Sequence, residues 1–526
     1  MSGRRPVDRR AFLQHCGTAF AAGAVGAMLP GRIFAATTVA GEPITGAASR
    51  ALCALAIDTL QKAGASYGDI RLARYRSQWI GTRDERVEGI HDSESFGFGV
   101  RAIAAGSWGF AASSVVTESE VVRVAREAVA IAKASALAKT EDVKLSDEPV
   151  HRDVCLTPMV RDPFAIPLDA KLDLLVKVND VLKKVPAIEV AEGYLVFSRK
   201  HQFFASTEGS DIEIDMTRSW GGYTATAVAA DDSQERSYEA TPMNAGWEHI
   251  EESDFLGNAE RVAAQAAEKV RAENGPEGVY DLVLDPDHLC LTIHESAGHP
   301  SELDRALGWE ANYAGTSFLV PDELGKLKYG SKVVNIVADN TRPGSLASTG
   351  YDDDGAECQR VDIVREGVFV GFSTSREFAP KIGVKRSGGS CRADSWSSIP
   401  LLRIANVGLE PGDAKLDALI GDTKKGIAIE GRGSWSIDQK RYNFQFGGDC
   451  FWEIANGRKT RMLKNVLYQG ITPEFWGSCD AVCDASHWRP TGVTNCGKGQ
   501  PGQSGQMTHG ASHARFRGVK VIKAKA

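Results

Sequence analysis

His294-Glu295-Ser296-Ala297-Gly298-His299-Pro300 places two imidazoles and a carboxylate where one metal ion could collect them. In the familiar zinc-peptidase helix the histidines are four residues apart on one face, and the glutamate between them is the general base. Here they are five apart. At about 100° per residue an α-helix would set them about 140° apart, too far around the cylinder to share a metal. A wider π-type turn would return them to one face, and such turns occur mostly as single bulges at functional sites. Gly298 tolerates the distortion, and Pro300 disfavours α conformation at His299, so the helix is expected to end there with His299 on its last, unwound turn. With 11 histidines in the chain, an accidental pairing is the competing reading.

Working outward, Asp285-Pro286 opens a helix with an acid before it and proline in its first turn, and that helix runs straight into His294 and Glu295. A strand over 279–284 precedes it. Before that, Asn274-Gly275-Pro276-Glu277-Gly278 is a cluster of breakers and the clearest domain boundary. Upstream, apolar spacing predicts helices over 47–63, 121–134, 169–184 and 255–273, the second opened by Thr117 and Glu120. Strands are expected over 70–80, over 96–112 with a hairpin turn at Ala105-Gly106-Ser107, and over 188–230 with a turn at 207–210. Residues 139–167 are polar and punctuated by prolines, and read as a loop.

Downstream, short strand-like runs at 332–338, 361–372, 401–407, 428–436, 443–455 and 463–471 alternate with glycine-rich turns. The fold class is therefore α+β: an N-terminal mixed α/β domain over 45–275, then a β-rich C-terminal domain over 276–526, a large antiparallel sheet or barrel carrying the metal-site helix. Residues 491–513 hold six glycines and scant apolar pattern. They read as a loop, yet one carrying Cys496, His509 and His513.

The chain has 526 residues, 43% hydrophobic and 25% charged, which is ordinary globular composition with ample material for cores. A net charge of −7, with no basic tract or aromatic-basic alternation, argues against a nucleic-acid partner. Residues 1–36 read as a signal peptide: Arg4, Arg5, Arg9 and Arg10 precede a weakly apolar, Ala- and Gly-rich run, and small residues follow for cleavage. Asp8-Arg9-Arg10-Ala11-Phe12-Leu13 matches the twin-arginine export pattern, which predicts a periplasmic protein with no stable membrane anchor after cleavage. Loss of five arginines and Asp8 would take the formal charge from −7 to −11. Of ten cysteines, nine would remain, an odd number that leaves at least one thiol unpaired or bound to metal. Cys479 and Cys483 could pair, bind metal or be small buried residues.

Several further stretches carry a resemblance: Gly64-Ala65-Ser66-Tyr67-Gly68-Asp69-Ile70-Arg71, Gly97-Phe98-Gly99-Val100-Arg101, Gly106-Ser107-Trp108-Gly109-Phe110, the HExxxH motif with Glu302 and Asp304 after it, Tyr351-Asp352-Asp353-Asp354-Gly355, and Thr494-Asn495-Cys496-Gly497-Lys498-Gly499-Gln500. With these the chain resembles TldD/PmbA-type zinc metallopeptidases over nearly its whole mature length, and its intact motif resembles the active TldD branch. The resemblance implies a zinc ion held by His294, His299 and Cys496, a short or unfolded peptide as substrate, and a dimer, formed with a second copy or a motif-less paralogue. The export signal departs from the family pattern.

On that reading two imidazoles and a thiolate leave zinc one open position for water, and Glu295 would take the water's proton during attack on the scissile carbonyl. Glu302 and Asp304 could orient a ligand imidazole through its other nitrogen, or be solvated loop residues. Asp352, Asp353 and Asp354 could bind a cation, although a charged turn beside Gly355 accounts for them more simply. Two rival functions stand beside peptide hydrolysis: a non-catalytic, chaperone-like subunit with structural zinc, and a cysteine hydrolase using Cys496 with His509 or His513.

Overall fold

A computed structural model describes residues 46–230 and 232–523; the twin-arginine segment lies outside them. Helix α1 (Gly46–Lys62) ends at Gly64, whose φ of 88° is the left-handed value a helix terminus favours. It leads into β1 (Tyr67–Arg83), which turns back as β2 (Arg86–Ala104) and then β3 (Ser107–Ser113), the last turn falling at Ala105-Gly106 as the sequence predicts. Helix α2 (Glu118–Ser135) is capped by Thr117, whose side chain accepts from the Glu120 N–H.

The 139–167 stretch is not all loop. Arg152–Leu156 forms β4, an edge strand running parallel to residues 211–215. Its exposed, non-alternating sequence hides it, because only the partner strand supplies its order. Helix α3 (Leu168–Lys183), β5 (Ile188–Ser206), β6 (Asp211–Ala229), β7 (Asp232–Met243) and α4 (Phe255–Lys269) complete this half. The strands form one seven-stranded sheet in the order β3-β2-β1-β5-β6, with β4 and β7 both on β6.

Alternation along β1 separates the two faces of this sheet. Ile70, Leu72 and Ile80 point one way, into cores completed by the four helices. Asp69 and Arg71 point the other way, and with Arg101 of β2 they are buried rather than solvated. Their partners lie far along the chain. Arg101 meets Asp69 at 2.7 Å and Asp354 at 2.9 Å, while Lys200 meets Asp353 at 3.0 Å. Asp352 accepts the backbone N–H groups of Asp354, Ala356 and Cys391. The Asp352–Asp354 run is therefore a buried set of satisfied carboxylates, not a charged surface turn.

The C-terminal half is built on a ten-stranded sheet. Its centre is β8 (Gly278–Leu284), flanked by the last strand Ala514–Lys523 on one side and Lys425–Glu430 on the other. Most pairings are antiparallel, as expected, but β8 and Lys425–Glu430 run parallel, as do Leu463-Lys464 and Glu273-Asn274. Mixed α/β structure with β-rich sheets is thus the observed class. From the end of β8 the chain enters α5 (Pro286–Ile293), with Asp285 accepting the His288 N–H as its cap.

The reading of 491–513 as a loop is overturned. Arg489–Lys498 and Gln503–Ala511 are antiparallel partners in a hairpin, with an irregularity between Val493 and Cys496. Its glycines mark close approach rather than freedom. A Cβ on Gly510 would lie 1.8 Å from the Trp488 ring, and one on Gly505 would lie 2.5 Å from the Arg403 guanidinium.

Candidate metal centre

After α5 the chain makes one π turn, His294–Gly298, in which the His299 N–H donates to the His294 carbonyl. The extra residue rotates the two imidazoles onto one side, and their ring centroids lie 4.8 Å apart. The widened turn is held from outside: the Tyr329 hydroxyl donates to the Ser296 carbonyl at 2.9 Å, and Trp476 Nε1 donates to Ser296 Oγ at 2.9 Å. One local expectation fails. His299 keeps helical φ and ψ of −57° and −45° in spite of Pro300, and the chain continues through a 3₁₀ turn to Ser301 before Glu302 becomes extended. Gly298 stays helical too; its missing Cβ leaves room for Ile404, 3.1 Å from where that atom would lie.

Cys496, on the first hairpin strand and 197 residues beyond His299, brings its Sγ to 3.6 Å from His299 Nε2. A nitrogen about 2.05 Å and a sulfur about 2.3 Å from one zinc at tetrahedral angles would sit about 3.6 Å apart. One donor atom from each of His294, His299 and Cys496 lies within 4.8 Å of the others, and all three residues are buried. The thiol is set by its strand: Arg403, itself buried, donates to the carbonyl of Cys496 at 2.5 Å and to that of Gln503 at 3.2 Å, gripping both hairpin strands.

The hydrogen-bond network fixes which ring nitrogens are free. His509 Nδ1 lies 2.8 Å from the Val407 carbonyl, so it carries the proton, and its Nε2 can only accept when neutral. That Nε2 faces His294 Nδ1 at 2.8 Å, so His294 donates from Nδ1 and keeps its Nε2 lone pair. Likewise His299 Nδ1 lies 2.9 Å from Glu302 Oε2 and donates to it, leaving Nε2 towards Cys496. Burial pushes His294 below the ordinary histidine range and His299 and His509 well below it. All three imidazoles are neutral at pH 7, as metal ligation and this donor chain require.

Glu302 therefore orients the His299 imidazole, whereas Asp304 orients neither motif histidine. Asp304 pairs with Lys498 Nζ at 2.9 Å, and burial pushes its pKa up to about 6 against that pull. The ammonium of Lys498, fully buried, is also 3.2 Å from Glu302 and 3.4 Å from Glu310. Burial works against its charge; the three carboxylates outweigh that and hold it charged. This cluster ties the hairpin to the segment after the metal helix.

Glu295 is buried beside the histidines and forms an ion pair with Arg441. Sequence reasoning missed Arg441. It occupies a turn with φ of 64°, closed by Asp438 and by Thr472 Oγ1 on its carbonyl, and no motif announces it. His513 faces His487 instead of the centre, and neither His513 nor His509 reaches Cys496. Nine cysteines, Cys479 and Cys483 among them, are free thiols, and no disulfide forms among the described residues.

Two neutral imidazoles and a thiol converging beside a buried carboxylate make a donor set that could hold a metal ion, and comparison with known proteins gives the family. Three successive stretches match models described as PmbA/TldA metallopeptidase domain 1 (residues 68–132), central domain (161–273) and C-terminal domain (277–523). Together they take in most of the chain, which belongs to the PmbA/TldA metallopeptidase family. It is 28% identical over 428 residues to a metalloprotease of Methanocaldococcus jannaschii, covering 81% of this chain and 91% of that one. It is 23% identical over 476 residues to a zinc metalloprotease TldD homolog of Saccharolobus solfataricus, covering 88% and 98%. A solved Thermotoga maritima structure, described as a candidate modulator of a DNA gyrase, superposes with a TM-score of 0.72 at 16% identity over 90% of this chain and all of that one. That likeness concerns the fold.

Proposed function

We propose that this chain is a zinc-dependent peptidase of the active, TldD branch, hydrolysing short or unfolded peptides. The observation that carries the reading is the pair of imidazoles whose Nδ1–H groups are both committed, to His509 and Glu302, leaving two Nε2 lone pairs and the Cys496 sulfur convergent. The donor set suits zinc, and the name of the Saccharolobus relative agrees. When bound, zinc supplies Lewis acidity towards a carbonyl and a water molecule. Glu295, next to a ligand and clear of bulk solvent, takes the proton of the attacking water and returns it to the leaving amine. Arg441 holds the Glu295 carboxylate in place, and Glu302, His509 and Lys498 fix the ligands. In a structural zinc site Glu295 would have no base's role to perform, which weighs against the chaperone-like alternative.

The test is metal analysis and a peptide-library digest on the purified mature protein beside Glu295→Gln. The variant should retain zinc and lose at least about two orders of magnitude in rate. Near-normal turnover would remove Glu295 from the role.

Arg9-Arg10 and the residues after them support export to the periplasm by the twin-arginine route, and the family resemblance supports a dimer, with a second copy or a motif-less paralogue, that encloses the site. Replacing both arginines by lysine should leave the protein in the cytoplasm; unchanged periplasmic yield would refute the signal. Light scattering showing an active monomer would refute the dimer.

A further inference from the structure

Linked to the metal centre by a relay of side chains is a cavity of about 310 Å³, bounded by Trp108, Trp309, Phe378, Leu402, Asp304 and Glu377. It stands at the lower end of the roughly 300–1,000 Å³ of small-molecule sites, the size for one side chain rather than a folded segment. Two connections fix it to the centre. The segment leading to Glu377 pairs with the residues just after the motif: the Ser373 N–H donates to the Ser301 carbonyl at 2.9 Å, and the Ser373 carbonyl accepts from the Leu303 N–H at 3.2 Å. Asp304, in the cavity wall, is joined through Lys498 and Glu302 to His299.

The wall combines aromatic surface with one carboxylate that is incompletely matched. Trp309 is 55% exposed and meets Phe378 edge-on at 5.1 Å, so an indole stands open at the rim of a polar region. Trp108 Nε1 donates to Glu377 Oε2 at 3.1 Å, while Glu377 Oε1 accepts no hydrogen bond from the described residues. The cations here are already engaged: Arg101, itself in the cavity wall with Asp354, by Asp69 and Asp354, and Lys381 by Glu141. Burial pushes the Glu377 pKa up to about 7 in spite of the Trp108 hydrogen bond, with Asp354 adding to the rise and Lys381 and Arg101 opposing it. An acid so placed gains most from a cation arriving with its own apolar stem, which aromatic rings receive well.

We propose that this cavity is a subsite for the cationic side chain of a lysine or arginine in a bound peptide, with Glu377 as its counter-charge. The inference rests on the peptidase reading for its ligand, but not on turnover. The full mature chain carrying Glu295→Gln is titrated calorimetrically with alanine-based pentapeptides that hold one lysine, or one norleucine, at each position in turn. At one position lysine should bind roughly tenfold tighter than norleucine, the scale of a hydrogen bond to a charged group. Glu377→Gln, which keeps an acceptor for Trp108, should cut that preference to less than about twofold and leave norleucine binding unchanged. The preference should also grow as pH rises through about 7, because the carboxyl is neutral below that point. Equal binding of the two series at every position, no binding of either, or a preference that survives Glu377→Gln would overturn the subsite. If the Glu295→Gln chain binds the lysine series but the parent chain, with Glu295 intact, cleaves none of these peptides, the peptidase reading falls and the subsite stands.

Discussion

The helix carrying His294, Glu295 and His299 and the hairpin carrying Cys496 and His509 converge on one point, yet they are encoded in different ways. On the helix, spacing is the message. A five-residue separation that an α-helix cannot use demands an added residue per turn, and the π turn at His294–Gly298 supplies it. On the hairpin the decisive quantity is what lies opposite each glycine, and that is a tertiary fact: Gly510 fits against Trp488, and Gly505 against Arg403. A metal site can thus be half local and half distant, and only the local half declares its geometry in sequence.

If both halves hold one ion, removing the distant ligand should be as damaging as removing a local one. Cys496→Ala is expected to abolish activity and sharply weaken zinc retention, whereas Cys479→Ala and Cys483→Ala leave zinc bound; equilibrium dialysis with metal analysis distinguishes them. Stoichiometric zinc of normal affinity in Cys496→Ala would mean that Cys496 is not a ligand.

One step out, the support is again half distant and half local: the hairpin's His509 orients His294, and Glu302, three residues beyond His299, orients His299. His509→Phe and Glu302→Gln should each lower zinc affinity about 10- to 100-fold, measured by competition with a chromophoric chelator. Loss from one variant only would show that the two imidazoles are not held alike.

Smaller still, Gly510→Ala forces a methyl group against Trp488 and should destabilise the protein by about 1–3 kcal/mol in denaturant unfolding. Zinc should restore part of that loss, since a ligand that binds only the folded hairpin stabilises it by mass action. A variant as stable as the parent would mean that the close approach is not required.

Much of the architecture was legible where pattern is local. The Thr117 cap, the turn at Ala105-Gly106, the strand into Asp285-Pro286 and the helix beyond it follow from residues within a few positions of one another. The hairpin at 489–511 was not, because six glycines depress every local strand signal while burial against Trp488, Pro242 and Arg403 restores the strand. β4 was hidden for a different reason: its exposed residues show no alternation, and its order comes from β6. Of the centre, the motif residues were readable and Cys496 came by resemblance. Arg441 was beyond reach: a left-handed arginine in a turn has no spacing to Glu295 that a sequence displays. Asp352, Asp353 and Asp354 look like solvent-facing charge until the opposing sheet face, with Arg101 and Lys200, is in view.

The most direct test of the central claim is the zinc K-edge absorption spectrum of the mature protein as purified. One zinc per chain held by His294, His299 and Cys496 predicts a first shell with a single sulfur at about 2.3 Å and two imidazole nitrogens at about 2.0–2.1 Å, with a further light atom at the open position. A shell without sulfur, or with two or more sulfurs, would contradict it.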